Sequence, residues 1–167
     1  VIAKDTPNFI ANRIGVFGMM VTLQEAKAHK ISIEDVDALT GTIIGRPKSA
    51  TFRTADVVGL DTMAFVANTA YTKCLDDKER DVFKLPDYIQ TMLDNKWLGQ
   101  KTGQGFYKKI DKGVIHSLDL NTLEYSKMIK KRYDAFTLAK ERTFLRDRLN
   151  AIVRSDDVAG QFLWNCF

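Results

Sequence analysis

From Pro7 to about Ala28 the chain places Phe9, Val16, Met20 and Leu23 at helical spacing. Asp5 or Thr6 is available as a cap, and Pro7 stands at the first helical position, where its missing N–H costs nothing. The pattern predicts a helix about 33 Å long at 1.5 Å per residue. Its other apolar residues, among them Ile10, Ile14, Phe17, Met19 and Val21, spread over more than one face, which exceeds what one helical neighbour can cover. "SIEDVDAL" restarts the period with Ser32 as cap, Asp35 three residues on, and Ile33, Val36 and Leu39 on one face. "GTIIGRPKSATF", with Gly41, Gly45 and Pro47, reads as a connector, and a short helix closed by Gly59 follows it. A fourth helix from Asp61 carries Met63, Phe65, Val66 and Ala70, and Pro86 opens a fifth. The glycines of "LGQKTGQGFYKK" break the helical period. Two short strands are expected there, "GFYKK" and "GVIHSL", joined through "IDKG". A polar helical stretch is expected from about Asn121 to Asn150. "DDVAGQFLWNCF" predicts the first turns of a last helix, capped by Asp156 or Asp157, with Phe162, Leu163 and Trp164 withdrawn from water. The expectation is a mostly α protein with a small β-hairpin.

Composition narrows the classes. At 167 residues and 45% hydrophobic content the chain can bury a real core in one ordinary domain. No apolar run reaches the roughly 18 residues of a membrane span, and "VIAKDTP" lacks the basic and apolar regions of a signal peptide, so a cytoplasmic location is expected. Cys74 and Cys166 show no CxxC spacing, and His29 and His116 are the only histidines, which supports neither a disulfide framework nor a zinc site. The chain opens without methionine and breaks off inside an apolar run, as an excerpt of a longer protein would. Its formal +4 is concentrated between Lys127 and Arg148, where eight Lys/Arg face three Asp/Glu. Tyr133, Phe136 and Phe144 fall near helical spacing with Leu138, Leu145 and Leu149. They read as a buried stripe rather than as base-stacking platforms, and nucleic acid is not an expected partner.

Little in the chain carries chemistry by pattern alone. "GQKTGQG" has neither the glycine-lysine pair of a phosphate loop nor the strand-to-helix context of a dinucleotide turn, and its glycines read as a tight connection before a strand. Asn12 and Arg13 stand out because they enter the apolar helix side by side. An amide held on a rigid helix can orient a reacting oxygen without competing as a base. It can also merely satisfy polar groups between two helices.

"DTPNFIANRI", then "GRPKSATFRTADVVGLDT", then "GQKTGQGFYKK" resemble in order and spacing the C-terminal helical domain of the L-3-hydroxyacyl-CoA dehydrogenases, over about residues 5 to 125. The resemblance implies that family's helical fold, related to the C-terminal domain of 6-phosphogluconate dehydrogenase. It also implies a share in the NAD-dependent oxidation of L-3-hydroxyacyl-CoA to 3-ketoacyl-CoA in fatty-acid β-oxidation. NAD and a His–Glu pair would belong to an absent N-terminal Rossmann domain, with no cofactor in this fragment, which alone would be inactive. The helical domain would close the cleft over the acyl-CoA and take part in self-association.

In that family the asparagine falling on Asn12 bonds the catalytic histidine or the substrate oxygen. Arg13 and Asp56 are expected to be structural. Arg46, Lys48 and Arg53 are candidate contacts for coenzyme A phosphates, or equally a solvated basic loop. Two departures stand out. Asn8 replaces a glycine, and "PKSATF" replaces "PMGPF", which leaves the path of the connector open. The expected division is a substrate and dimerisation domain over 1–125, a basic helical linker over 126–155, and over 156–167 the start of a second, degenerate copy, because Phe162, Leu163 and Asn165 repeat the form of Phe9, Ile10 and Asn12. Two other readings remain open: a non-catalytic helical interaction module, and the helical domain of another β-hydroxy-acid dehydrogenase.

Overall fold

A computed structural model describes Ile2 and residues 4–167. The first helix, α1, runs Phe9–Ala28 and begins two residues later than the sequence suggests. Pro7 lies in a turn, and Asn8 takes the cap position with φ 69°, in the left-handed region. Asparagine is among the few side chains that tolerate this conformation. Its amide donates to the Val66 carbonyl at 2.7 Å and ties the start of α1 to a later helix. At the other end Lys30 turns left-handed and the Ile31 N–H returns to the Ala26 carbonyl at 3.1 Å, a closing turn that buries Ile31.

Helix α2, Ile33–Leu39, is capped as expected, the Ser32 side chain accepting from the Asp35 N–H. Helix α3, Phe52–Val58, has no cap of its own. Asp37 supplies one from α2, accepting from the N–H groups of Thr51, Phe52 and Arg53 at 3.0, 2.7 and 3.1 Å. Gly59 ends α3 and starts α4, Leu60–Lys73, and α5 covers Asp87–Asp94. The connector between α2 and α3 places Ala50 at φ 52°, a second left-handed position without glycine.

The hairpin is instead a three-stranded antiparallel sheet in the order β1-β2-β3: β1 Tyr107–Lys109, β2 Ile115–Leu118 and β3 Tyr125–Lys127. Tyr107 stands opposite Ser117, and Ser117 opposite Ser126. The third strand falls where a helix was expected. Asp119 accepts the N–H groups of Asn121 and Thr122, and Leu123 turns left-handed, so the chain reverses before any helical turn can form. The backbone after β3 is then held extended against α2. Ile129 N–H donates to Glu34, and Lys131 N–H and the Tyr133 hydroxyl donate to Asp35.

The remaining helical residues form two helices, α6 Asp134–Lys140 and α7 Leu145–Val153, before α8, Val158–Cys166. The expected aromatic stripe is only half packed: Tyr133, Phe136 and Leu149 lie partly buried against the core, and the rest face outward. Phe144 is 72% exposed and Leu138 and Leu145 are each 40% exposed, while Ala135, Ala139 and Ile152 are fully buried. These residues join one core with Leu23, Ile33, Leu39, Phe52, Leu60, Ile89, Met92 and Phe106. Asp157 caps α8 through the Gly160 N–H at 2.8 Å and also accepts from Ala135 at 3.0 Å. Phe162 and Leu163 are fully buried as expected, but Trp164 is 66% exposed. It lies one position past them, and α8 turns it outward. No helix is long and apolar enough to cross a membrane among the described residues.

Candidate functional site

Along one side of the first half of α1 runs a groove of about 500 Å³, walled by α3 and α4. Ala11, Asn12, Ile14, Gly15, Val16, Gly18 and Met19 contribute from α1; Thr54 and Val58 from α3; and Thr62, Met63 and Val66 from α4. Asn12 is solvent-facing, and its amide has no hydrogen-bond partner among the described residues. Arg13, next to it, is held in an ion pair with Asp77, whose carboxyl the guanidinium keeps below its usual range. The two adjacent polar residues therefore differ in kind. Arg13 fastens α1 to the loop after α4, and Asn12 stays open to solvent at the edge of the apolar groove.

The three basic candidates do not converge. Arg46 lines the groove of Asn12. Arg53, on the opposite side of α3, lies over the Tyr107 ring with 4.4 Å to its centroid and lines a separate pocket with Asp56 and Lys109. Lys48 is exposed on the connector.

That second pocket backs onto a buried polar network. Asp56 accepts from the N–H groups of Phe106 and Tyr107 at 2.8 and 2.9 Å, the structural role expected of it. Burial pushes its carboxyl up to about 6, against the opposing pull of those two bonds. Asp37, which the sequence reading did not single out, accepts the Tyr107 hydroxyl at 2.7 Å besides capping α3, and burial raises its carboxyl too. Its signal was present as an acid on the inner face of α2, between Val36 and Leu39. The glycine-rich loop owes its composition to this network. A Cβ at Gly99 would lie 2.3 Å from the Asp56 carbonyl oxygen, and one at Gly105 would lie 2.2 Å from an Asp56 carboxylate oxygen. The loop closes on Asp56 and presents no phosphate cradle. Among the described residues no three His, Cys, Asp or Glu side chains gather as metal ligands.

The polar groups of this chain are thus spoken for around α3 and open along α1. Residues 9–109 match the family model described as "3-hydroxyacyl-CoA dehydrogenase, C-terminal domain". A "Probable 3-hydroxyacyl-CoA dehydrogenase" of Bacillus subtilis (strain 168) is 50% identical over 165 residues, covering 99% of this chain and 21% of that protein. A protein of the same name from Deinococcus radiodurans is 43% identical over 109 residues, covering 65% of this chain and 31% of its own length. "Hydroxyacyl-coenzyme A dehydrogenase, mitochondrial" of Rattus norvegicus is 34% identical over 108 residues, 65% of this chain and 33% of that protein. The chain spans between a fifth and a third of these relatives. No solved structure gives a significant match. By the family model, and by the placement of its motifs in the structure, the chain belongs to the 3-hydroxyacyl-CoA dehydrogenase family, through that family's C-terminal domain.

Proposed function

We propose that this domain forms the substrate-side wall of an NAD-dependent L-3-hydroxyacyl-CoA dehydrogenase and that Asn12 is its contribution to the reacting centre. The observation that carries this reading is the unpartnered, solvent-facing amide of Asn12 beside the anchored Arg13, at the edge of an apolar groove. An exposed amide on a rigid 20-residue helix is free to bond a group that approaches from outside the domain. NAD, held by another domain, would accept the hydride from C3; the Gly99–Gly105 loop, folded around Asp56, is not shaped to hold it. Asn12 would hydrogen-bond the C3 oxygen, or the histidine that takes the hydroxyl proton, and fix its direction as the carbonyl forms. Ile14, Val58 and Val66 would keep water from the oxygen. Because Arg46, Lys48 and Arg53 point to different surroundings, coenzyme A phosphate recognition by the three together is not part of the proposal.

The exposed apolar residues Phe9 (70%), Ile14 (68%) and Phe65 (71%) on α1 and α4 support the further reading that this side meets the dinucleotide domain or a second copy. In the complete dehydrogenase chain, Asn12→Ala is expected to lower kcat/KM by about 30- to 1000-fold, the cost of one oxyanion-type hydrogen bond, mainly through kcat. Unaltered kinetics would reject the role. For the isolated domain, calorimetry is expected to show no saturable NAD binding.

A further inference from the structure

At the other end of α1 from Asn12 lies a smaller pocket of about 140 Å³, between the turn that closes α1, the start of α2 and the sheet. That is room for a tetrahedral oxyanion, several times the roughly 30 Å³ that one water takes up. Lys27 and Lys30 line it from the end of α1, Ser117 and Ser126 from the sheet, and Lys131 from the extended backbone after β3. Ser117 and Ser126 stand opposite each other on β2 and β3, which places both side chains on one face. Ser117 is 4% exposed, and its hydroxyl makes no hydrogen bond among the described residues, although a buried hydroxyl without a partner is costly. Lys30 and Lys131 enter no ion pair among the described residues. The two acids of the lining are turned to backbone: Glu34 accepts from the Ile129 N–H at 3.1 Å, and Asp119 from the N–H groups of Asn121 and Thr122 at 2.8 and 3.0 Å. Lysines gather at helix ends to meet the last carbonyl groups, which accounts for Lys27 but not for Lys131, which arrives from beyond β3. Lys30 stands at φ 53°, just past the end of α1, where glycine is the usual residue. A lysine there gives up backbone ease and sets a cation on the lining.

We infer that this pocket binds a phosphate group, as the free ion or as the end of a phosphate monoester, with Lys30 and Lys131 pairing its charge and the Ser117 hydroxyl donating to one of its oxygens. Phosphate supplies what the lining lacks: several acceptors for ammonium and hydroxyl hydrogens, and negative charge where three lysines face two acids that backbone N–H groups already hold. Ser117, Ser126 and Lys131 lie beyond the 9–109 stretch that matches the family model, so the pocket is built between that stretch and the segment that follows it. A bound phosphate would tie the two together. No residue lines both this pocket and the groove of Asn12, and the inference does not depend on the catalytic reading.

The test uses the complete dehydrogenase and follows its melting temperature as inorganic phosphate or glycerol 3-phosphate is raised against chloride at constant ionic strength, since a ligand of the folded state stabilises it by mass action. Phosphate is expected to raise the melting temperature saturably above chloride. Lys30→Gly and Lys131→Gln are each expected to raise the apparent Kd by about tenfold, the loss of one charge-assisted hydrogen bond, and Ser117→Ala by about fivefold. Lys30→Gly guards against misfolding as the cause, because glycine suits the left-handed turn: without phosphate its melting temperature should hold or rise while its affinity falls. Lys78→Gln, exposed and outside the pocket, is expected to leave the Kd unchanged. A lower Kd for glycerol 3-phosphate than for phosphate would identify a monoester as the ligand, and an equal or higher one the free ion. No saturable effect of either beyond that of chloride, or a phosphate effect that Lys30→Gly, Lys131→Gln and Ser117→Ala all leave intact, would overturn the inference.

Discussion

The two sides of α3 handle polar groups in opposite ways. Towards α2 and the sheet, Asp37 and Asp56 are buried and accept six hydrogen bonds between them, from Thr51, Phe52, Arg53 and Tyr107 on one and from Phe106 and Tyr107 on the other. Towards α1, the groove holds an amide with no partner, an exposed arginine and a glycine floor without neighbours. The first side consumes its polar capacity in holding α2, α3 and β1 together. The second leaves it open to solvent, where a polar group on a rigid element can meet a ligand.

Removing interior groups should cost stability, in order of how much each one fills or satisfies. Phe162→Ala, at a fully buried site in α8, is expected to lower unfolding free energy by about 3–5 kcal/mol, while the exposed Trp164→Ala stays within about 0.5 kcal/mol. Urea unfolding of the two variants checks whether α8 turns Phe162 inward and Trp164 outward. Asp37→Ala strands three N–H groups at the start of α3 and the Tyr107 hydroxyl, and should cost about 3 kcal/mol by the same measurement.

Asp56 adds a pH dependence. Its carboxyl titrates at about 6 in the folded chain against 3.8 when unfolded, so between these values the folded state holds a proton that the unfolded state has lost. The stability this supplies is complete below about pH 4, declines as the pH rises to about 6 and is level above. Denaturation at pH 4, 5, 6 and 7 should show that decline in the wild type and a smaller one in Asp56→Asn, where Asp37, also raised by burial, still acts in the same direction. Asp61, Asp77 and Asp119, which are lowered by Lys101, by Arg13 and by backbone N–H groups respectively, act in the other direction, below their ordinary 3.8.

On the groove side the sign reverses. Gly15→Ala and Gly18→Ala should each raise stability by about 0.5–1 kcal/mol, because the added methyl meets no atom and the helix gains propensity. The smallest effect is expected at the half-exposed Arg13–Asp77 pair, where Arg13→Ala should cost about 1 kcal/mol or less, and less in high salt.

Much of this contrast could be read from sequence because it rests on local signals. The long α1, the Ser32 cap, Gly59 between α3 and α4, and the strands at Tyr107 and Ile115 all follow from periodicity and end residues. The misreadings lie where distant partners decide. β3 exists because Asp119 closes a turn and β2 offers an edge, and the extended backbone after it is held by Glu34 and Asp35, about 95 residues earlier in the chain. Spacing in one segment carries no trace of such partners. The start of α1 was misplaced because Asn8 bonds Val66 from a left-handed conformation that its sequence neighbours do not require. The motif singles out Asn12, but the groove it borders needs α3 and α4 folded against α1. The six-bond role of the Asp37 and Asp56 pair was half visible: Asp56 sat in a recognised motif, and Asp37 sat in an ordinary helix pattern.

The central claim is that Asn12 serves the reaction and not the fold, and it is tested most directly by measuring kcat/KM and the melting temperature together for Asn12→Ala in the complete dehydrogenase. kcat/KM is expected to fall by about 30- to 1000-fold with the melting temperature unchanged, because no group in the domain loses a partner. Intact turnover with a lowered melting temperature would contradict it.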